Sequence, residues 1–301
     1  MGQIMNINNL FKEKRVVFSF EIFPPKQESN ISTIYNTLEE LKGLSPDFIS
    51  VTYGAGGSLS KNMTCEISSI IKNKYKIEAL AHLTCINSTK EQVNIILNNL
   101  KEKGIENILA LRGDIPVDFN GISDFKYSSD LISHIKNEGS FNIVGACYPE
   151  GHLDSKNFEE DLINLRKKQE VGATHLISQL FFDNELFYNF LDKKDKYGIN
   201  IPIQAGIMPV TNTKQILRIV SLCGAKIPNK FLKIMEKYEY NPEALRDAGI
   251  AYATEQIIDL ISSGVDGIHL YTMNNPYVAK SISNNIYSII NTINNSENIV
   301  N

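Results

Sequence analysis

The amino-acid sequence predicts an α/β fold, and most specifically a (β/α)8 TIM barrel. Eight strand-like segments alternate with amphipathic helical segments along the chain, and eight parallel strands are the number that closes such a barrel. Several helical segments end in a glycine that a strand follows at once, which is typical of the loop from a helix to the next strand. These glycines are Gly104, Gly139, Gly172, Gly198 and Gly264.

The predicted strands are short apolar runs. The first, Val16–Ile22, is rich in β-branched and aromatic residues, as buried strands are. The others are Phe48–Thr52, Ala79–Cys85, Asn107–Leu111, Asn142–Cys147, His175–Phe182, Ile201–Gly206 and Gly267–Thr272. The clearest helix begins after the third strand, where Ser88 and Glu91 have the spacing of a capping box. An extra helical segment, Pro228–Glu236 with Pro242–Ser262, precedes the last strand.

An open, doubly wound sheet is the alternative to the barrel. Such a sheet usually carries a Gly-x-Gly-x-x-Gly turn after its first strand. The glycine-rich stretch at residues 54–57 follows the second strand and has a different spacing. Without a linker or a break in composition, residues 1–301 are expected to form a single catalytic domain. Residues 292–301 are expected to be a frayed polar tail.

The composition excludes several classes of protein. Hydrophobic residues make up 43% and charged residues 21% of the 301, which is ordinary for a globular protein. The formal net charge of −4 provides no basic surface for nucleic acid or an anionic membrane. No apolar run approaches the ~20 residues of a membrane span, and residues 1–10 lack the pattern of a secretory signal. The four cysteines are scattered, without a disulfide or zinc spacing. We expect a cytoplasmic protein without a metal site.

Glu21 is the most informative single residue. It lies at the end of the first predicted strand, just before Pro24 and Pro25, which cannot continue a sheet. Catalytic groups of α/β proteins lie at this end of the strands. Taken alone, such an acid is equally well interpreted as one partner of a buried ion pair. We expect Phe20, Phe23 and the prolines to surround it.

Polar residues at the other strand ends favour a catalytic role for Glu21. The strand bodies are almost wholly apolar, whereas their ends are polar or glycine, and a purely structural barrel has no need of this. The strand-end residues are Glu21, Thr52, residues 82–84, Arg112, Gly113, Asp114, Tyr148, Gln179, Gly206 and Tyr271.

The other candidate residues each have a structural alternative. Arg112 and Asp114 flank a glycine that would let a flat ligand approach the backbone, but they could instead pair with each other at the rim. His82 could be a core histidine, whereas His152 lies in a loop and suits a ligand contact. Gln179 stands beside aromatic residues and suits a heterocycle with donor and acceptor edges. The remaining histidines, His134, His175 and His269, are interpreted as structural.

Nine stretches of the chain, taken in order, resemble a known family. They are FSFEIFPPK, FISVTYGAGGS, ALAHLTCI, ILALRGD, GACYPEGH, DLINLRKKQEVGA, SQLFFD, GIMPVTN and HLYTMN, and they run from Phe18 to Asn274. Together they resemble methylenetetrahydrofolate reductase in its bacterial form, which has the catalytic domain alone. The resemblance implies a barrel that binds FAD, reduces 5,10-methylenetetrahydrofolate to 5-methyltetrahydrofolate and forms a homo-oligomer. It also implies that no regulatory domain follows.

The resemblance assigns roles to individual residues. Glu21 matches the catalytic acid, and Asp114 matches the aspartate near the flavin N1 and O2 atoms. Gln179 and Gln215 match folate contacts. The residues that match FAD contacts are Thr52, His82, Arg112, Gly113, Ser128, Tyr148, His152, Asp161, Asn164 and Lys168.

The implied mechanism is ping-pong. NADH or NADPH reduces the flavin and leaves, and the folate then accepts the hydride. Before it can do so, the folate ring must open to an iminium, and opening needs a proton at N10. Glu21 is expected to be the general acid, a role that typically contributes ~10²–10⁴-fold.

Two positions depart from the family pattern. Asn275 stands where the family often has an arginine for the glutamate tail of the folate, and Ile219 replaces an aromatic residue that stacks on the nicotinamide dinucleotide in some members. Ile219 leaves open an electron-delivering partner subunit in place of NADH or NADPH. A flavin-free pterin-binding barrel and a non-catalytic scaffold are further alternatives.

Overall fold

In the computed structural model, eight parallel strands close into a barrel in chain order, which confirms the predicted fold. The structure describes residues 6–25, 31–53, 58–114 and 123–296, without the side chains of 58–62. The strands are β1 Val17–Ile22, β2 Phe48–Val51, β3 Glu78–Thr84, β4 Asn107–Leu111, β5 Asn142–Cys147, β6 His175–Ser178, β7 Ile203–Ile207 and β8 Gly267–Tyr271. The last strand pairs with the first in the register Val17 to Gly267 and Glu21 to Tyr271.

Helices surround the barrel and close one of its ends. They are α1 Ile7–Glu13, α2 Ile31–Leu41, α3 Ser58–Asn73, α4 Lys90–Glu102, α5 Ser128–Glu138, α6 Phe158–Glu170, α7 Asn184–Lys196, α8 Thr213–Cys223, α9 Asn229–Tyr238, α10 Pro242–Ser262 and α11 Pro276–Asn295. The pair α9 and α10 is the helical segment predicted before the last strand. Within the described residues, no helix has both the length and the apolarity of a membrane span.

The core has separate inner and outer layers because successive side chains of a strand point to opposite faces. Inside the barrel, Ile7 and Leu10 of α1 pack with Val17, Phe48 and Leu80 and close the N-terminal end. The outward faces of the strands pack against the helices in a larger cluster. Each fully buried side chain of this size contributes roughly 1.5–3 kcal/mol. The C-terminal end therefore remains as the opening of the barrel.

The sixth predicted strand was too long. It ends at Ser178, and the apolar run that follows is buried under helices and not in the sheet. Phe181 stacks on Phe187 with ring centroids 4.8 Å apart, and Phe182 stacks on Phe231 of α9 at 6.5 Å. An apolar run alone does not distinguish these two kinds of burial.

Two other local predictions differ from the structure by a few residues. The capping box is formed by Thr89 and Gln92, one residue later than predicted, because Ser88 is turned into the loop, where its N–H donates to Cys85. The predicted polar tail is helical as far as Asn295. Helix α11 continues because Asn294 bonds to the backbone of Val16. Residues 297–301 lie outside the described part of the chain.

Candidate active site

A cavity of about 1050 Å³ opens at the C-terminal ends of the strands. Its volume is slightly above the ~300–1,000 Å³ that small-molecule sites occupy. Of the predicted site residues, the cavity is lined by Glu21, Thr52, His82, Arg112, Gly113, Asp114, Ser128, Tyr148, His152, Asp161, Asn164, Lys168 and Gln179. The cavity is also lined by Tyr271, so the barrel brings together residues that are up to 250 positions apart, from 21 to 271.

Glu21 lies on the floor of this cavity, with 17% of its side chain exposed. Its Oε2 atom is 3.5 Å from Nε2 of His82 and 3.6 Å from Nε2 of His269. The expected surround of phenylalanines is wrong. Phe20 packs in the outer layer because it is on the opposite face of β1, and Phe23 is 36% exposed.

His82 is buried beside Glu21 in an uncharged state. Burial lowers the pKa of His82 to about 4, although the charge of Glu21 acts in the opposite direction. The Nε2 atom of His82 makes no hydrogen bond within the described residues. A neutral imidazole can donate to a carboxylate or accept from a carboxylic acid, so His82 can accompany either protonation state of Glu21.

His269 is a site residue that the sequence analysis did not place beside Glu21. It is fully buried, and its Nδ1 atom is 2.7 Å from Oγ of Ser19. Gln204 donates to the same Ser19 hydroxyl at 3.0 Å, and Ser50 Oγ lies 3.3 Å from Nε2 of His269. This hydrogen-bonded network connects the interior of the barrel with Glu21. The sequence did contain a signal for this position: His269 and Tyr271 are two residues apart on β8, so their side chains point to the same face of the sheet.

Tyr271 forms another side of the floor. Its hydroxyl donates to the carbonyl oxygen of Ser178 at 2.7 Å. Burial, with Glu21 nearby, raises the pKa of Tyr271 well above its usual value. A Cβ atom at Gly206 would lie 2.8 Å from the Tyr271 ring and 2.2 Å from the Ser178 oxygen. Glycine at this strand end therefore makes room for the tyrosine.

Arg112 forms an ion pair at the rim of the barrel, but its partner is Asp154 and not Asp114. The Arg112 Nη2 to Asp154 Oδ2 distance is 2.6 Å, and Arg112 lowers the pKa of the Asp154 carboxyl. Asp154 is 57% exposed and lies on the loop after β5, whereas Asp114 is exposed at the cavity edge. Gly113 adopts the left-handed region at φ +88°, and a Cβ atom there would lie 2.7 Å from Ile86. This glycine is thus required for the turn.

Asp161 organises the loop between β5 and α6. Its carboxylate accepts from the backbone N–H of His152 at 3.2 Å and from the Ser155 hydroxyl at 3.3 Å. The ring of His152 stands edge-on to Tyr148, with centroids 4.5 Å apart. Burial raises the pKa of Asp161 and lowers that of His152. The loop therefore presents two aromatic rings on one wall of the cavity.

Lys168 and the start of α5 add positive potential to the cavity. The Lys168 ammonium donates to the carbonyl oxygen of Ala146 at 2.7 Å, and burial lowers its pKa. Asn164, one turn earlier on α6, is exposed at the cavity edge. Ser128 is the first residue of α5, where backbone N–H groups and the helix dipole favour an anion.

The two predicted folate contacts have different positions. Gln179 lines the cavity, and its Oε1 atom accepts from the N–H of Leu180 at 2.9 Å. Gln215 is exposed on the first turn of α8 and is not one of the residues that line the cavity. Its role stays a prediction. Among the described residues there is no group of three or more His, Cys, Asp or Glu arranged for a metal ion.

Comparisons with known proteins are consistent with this geometry. The sequence profile of the family described as methylenetetrahydrofolate reductase matches residues 6–287. The chain is 37% identical over 268 residues to a 5,10-methylenetetrahydrofolate reductase of Pectobacterium carotovorum, covering 89% of each chain. It is 35% identical over 291 residues to methylenetetrahydrofolate reductase (NADH) 1 of Arabidopsis thaliana. That alignment covers 91% of this chain but 49% of the plant protein, so the chain spans about half the length of that relative.

A solved structure has a similar fold. It is an uncharacterized protein from Clostridium thermocellum, described as binding two copies of 5-methyl-5,6,7,8-tetrahydrofolic acid. The TM-score is 0.68 at 16% identity, over 95% of this chain and 99% of the other. At this identity the likeness concerns the fold.

Proposed function

This chain belongs to the methylenetetrahydrofolate reductase family, and we propose that it reduces 5,10-methylenetetrahydrofolate to 5-methyltetrahydrofolate with FAD as its cofactor. The observation that carries the proposal is the position of Glu21 on the cavity floor, 3.5 Å from a histidine that is uncharged near neutral pH. A proton donor at this point is what the folate requires.

The residues of the cavity fit FAD. Arg112 and the start of α5 offer donors for a diphosphate. The rings of Tyr148 and His152 offer apolar faces and edges. The buried Nε2 atom of His82, which makes no hydrogen bond within the described residues, offers a polar contact on the floor. When bound, FAD would supply the hydride that the folate accepts.

Glu21 is proposed to hold the proton that opens the folate ring. Protonation of N10 breaks the bond from N10 to the methylene carbon and leaves an iminium, which is the hydride acceptor. The carboxyl group of Glu21 is proposed as the donor to N10 because it lines the cavity at the strand ends, beside His82 and His269.

The electron donor is proposed to be NADH or NADPH, in a cytoplasmic homo-oligomer. Ile219 lies against the apolar cluster of α8, α9 and α10 and does not offer an aromatic face to a nicotinamide. A partner subunit that delivers electrons is thus the alternative. Anaerobic stopped-flow reduction with NADH, NADPH and reduced ferredoxin separates these donors by rate.

Glu21→Gln tests the proposed mechanism. The amide keeps the shape of the carboxyl but cannot give a proton to N10. We expect folate-dependent reoxidation of the flavin to fall by ~10²–10⁴-fold, while reduction by the electron donor stays within about twofold, since that half-reaction needs no acid at N10. Both half-reactions are followed by flavin absorbance in an anaerobic stopped-flow instrument.

Two results would contradict the proposal. Equal losses in both half-reactions would make Glu21 a structural residue. Purified protein that is colourless and takes up no FAD on reconstitution would exclude the reductase activity and favour a flavin-free pterin-binding barrel.

A further inference from the structure

Asn274, in the turn between β8 and α11, holds the backbone just after Glu21 with two hydrogen bonds. The Phe23 N–H donates to Oδ1 of Asn274 at 3.0 Å, and Nδ2 of Asn274 donates to the Phe23 carbonyl oxygen at 2.8 Å. We propose that Asn274 is a positioning residue for the catalytic acid, an inference that rests on the function proposed above for Glu21. Asn274 is not among the residues that line the cavity, so it acts through the backbone.

The pairing of β1 with β8 ends at the acid. Glu21 is the last residue of β1 in register with β8, opposite Tyr271. Thr272 extends the contact by one step, since its N–H and its hydroxyl both donate to the Glu21 carbonyl oxygen, at 3.3 and 2.7 Å. Beyond that point the side chain of Asn274 replaces the ladder bonds that a continued strand would make.

The sequence after Glu21 makes this replacement necessary. Pro24 and Pro25 have no N–H, so Phe23 carries the last backbone donor of the segment. The side chain of Phe23 is 36% exposed. On the other side of β1, Thr52 donates to the Ile22 carbonyl oxygen at 3.0 Å. Asn274 therefore supplies the restraint on the β8 side.

Asparagine is the residue type suited to this position. Asn274 has a φ of +55° and follows Met273 at +52°, and asparagine tolerates this left-handed conformation better than most residues do. Its short side chain presents a donor and an acceptor together, which matches the N–H and C=O of one residue. Aspartate would keep the acceptor and lose the donor.

A loosened Phe23 would move the carboxyl of Glu21. The acid is two residues away, and its Oε2 atom is set between His82 and His269 at 3.5 and 3.6 Å. A misplacement of about 1 Å can cost on the order of 10²-fold in rate. Proton transfer to the folate should therefore suffer more than any step that does not use the acid.

Strand β1 contains its own control. Just before the first residue of β1, Asn294 of α11 makes the same pair of bonds with Val16, accepting from its N–H at 2.9 Å and donating to its carbonyl oxygen at 3.0 Å. Val16 precedes Glu21 by five residues, or roughly 17 Å of extended strand. Asn294→Ala therefore removes the same two hydrogen bonds from the residue that precedes β1, far from the acid.

The experiment compares Asn274→Ala with Asn294→Ala in the FAD-loaded full-length protein. We expect both variants to lower the urea midpoint of unfolding by similar amounts. Asn274→Ala should slow folate-dependent flavin reoxidation at saturating folate by ~10–100-fold, with the folate Kd and the rate of flavin reduction within about twofold. Asn294→Ala should leave both half-reactions unchanged. Asn274→Asp keeps one of the two hydrogen bonds, so its rate of folate-dependent flavin reoxidation should lie between those of wild type and Asn274→Ala.

A crystal structure of Asn274→Ala provides a readout that does not depend on activity. The Glu21 to His82 distance should lengthen from 3.5 Å, and an unchanged distance would overturn the proposal. So would equal slowing by both alanine variants, or equal slowing of both half-reactions. If wild-type protein reduces no folate while the acid still moves in Asn274→Ala, the proposed function fails and the positioning contact stands. If Asn274→Ala does not fold, Asn274→Asp takes its place with the same two readouts.

Discussion

The two ends of the barrel differ in what their polar side chains bind. At the N-terminal end, Asn107 accepts from the N–H of Ile7 at 3.1 Å and from the Asn142 amide at 3.0 Å. It also donates to Glu78 at 3.2 Å. At the C-terminal end, His82 keeps a buried nitrogen without a hydrogen bond among the described residues.

This difference separates stability from function within one fold. Residues whose hydrogen bonds are all made inside the protein hold α1 and the strands in place, so their loss should destabilise the fold. Residues whose unpaired hydrogen-bonding groups face the cavity can bind ligands with them. Their loss should therefore affect ligand binding or chemistry. Barrel enzymes generally divide their two faces in this way.

The largest effect expected from this difference between the two ends is the loss of stability in Asn107→Ala. The substitution leaves the Ile7 N–H and the Asn142 amide unpaired in a fully buried place. At ~1–3 kcal/mol for a buried donor left unsatisfied, the free energy of unfolding should fall by about 3 kcal/mol. FAD affinity should stay unchanged. Urea unfolding and a flavin fluorescence titration measure the two quantities. A loss of FAD affinity larger than the loss of stability would break the division between the ends.

His175, inside the barrel, is an exception to this comparison, because its ring nitrogens are not paired within the described part of the protein. Its ring lies 4.9 Å from that of Phe11, and neither nitrogen is hydrogen-bonded within the described residues. Burial lowers the pKa of His175 to about 3, against ~6.5 when unfolded. The unfolded chain therefore binds a proton that the folded chain refuses, and stability falls as the pH drops from about 6.5 toward 3.

His175→Leu should remove this pH dependence. Between pH 7 and pH 5, wild type should lose about 2 kcal/mol more of its free energy of unfolding than the variant does. Urea unfolding at both pH values measures the difference. Parallel losses in the two proteins would mean that His175 is hydrated or charged in the fold.

The smallest expected effect is at the mouth. Arg112→Ala removes a charged donor that is 23% exposed, and FAD affinity should fall about tenfold, or ~1.4 kcal/mol. Stability should change by less than ~1 kcal/mol, since its ion pair with Asp154 is partly solvated. Arg166→Ala is the matched control, because Arg166 pairs with Glu170 on the exposed side of α6 at 2.9 Å. Equal losses of FAD affinity in both variants would remove Arg112 from the cofactor site.

Much of the fold was predictable from local sequence because the strands are apolar runs with glycine between helix and strand. The bounds Asn107–Leu111 and Asn142–Cys147 agree fully with the structure, as do those of Pro242–Ser262. The predicted C-terminal end of β6 was wrong because Phe181 and Phe182 are buried by helices and not in the sheet. Hydrophobicity reports that a residue is buried and not what buries it.

Many of the cavity-lining residues could also be predicted, whereas their partners could not. Arg112 was expected at the mouth, but its ion pair with Asp154 depends on where the loop after β5 folds back. Gln215 lies on a helix outside the strand ends, and its position was set by the packing of α8. A partner distant in sequence leaves no local pattern.

The sequence by itself determined that Glu21 lies at the end of a strand, since Pro24 and Pro25 cannot continue the sheet. Only the tertiary structure decided what touches it. Closure of β8 onto β1 brings His269 within 3.6 Å of the acid and Asn274 onto Phe23. These contacts span about 250 residues and exist because the eighth strand returns to the first.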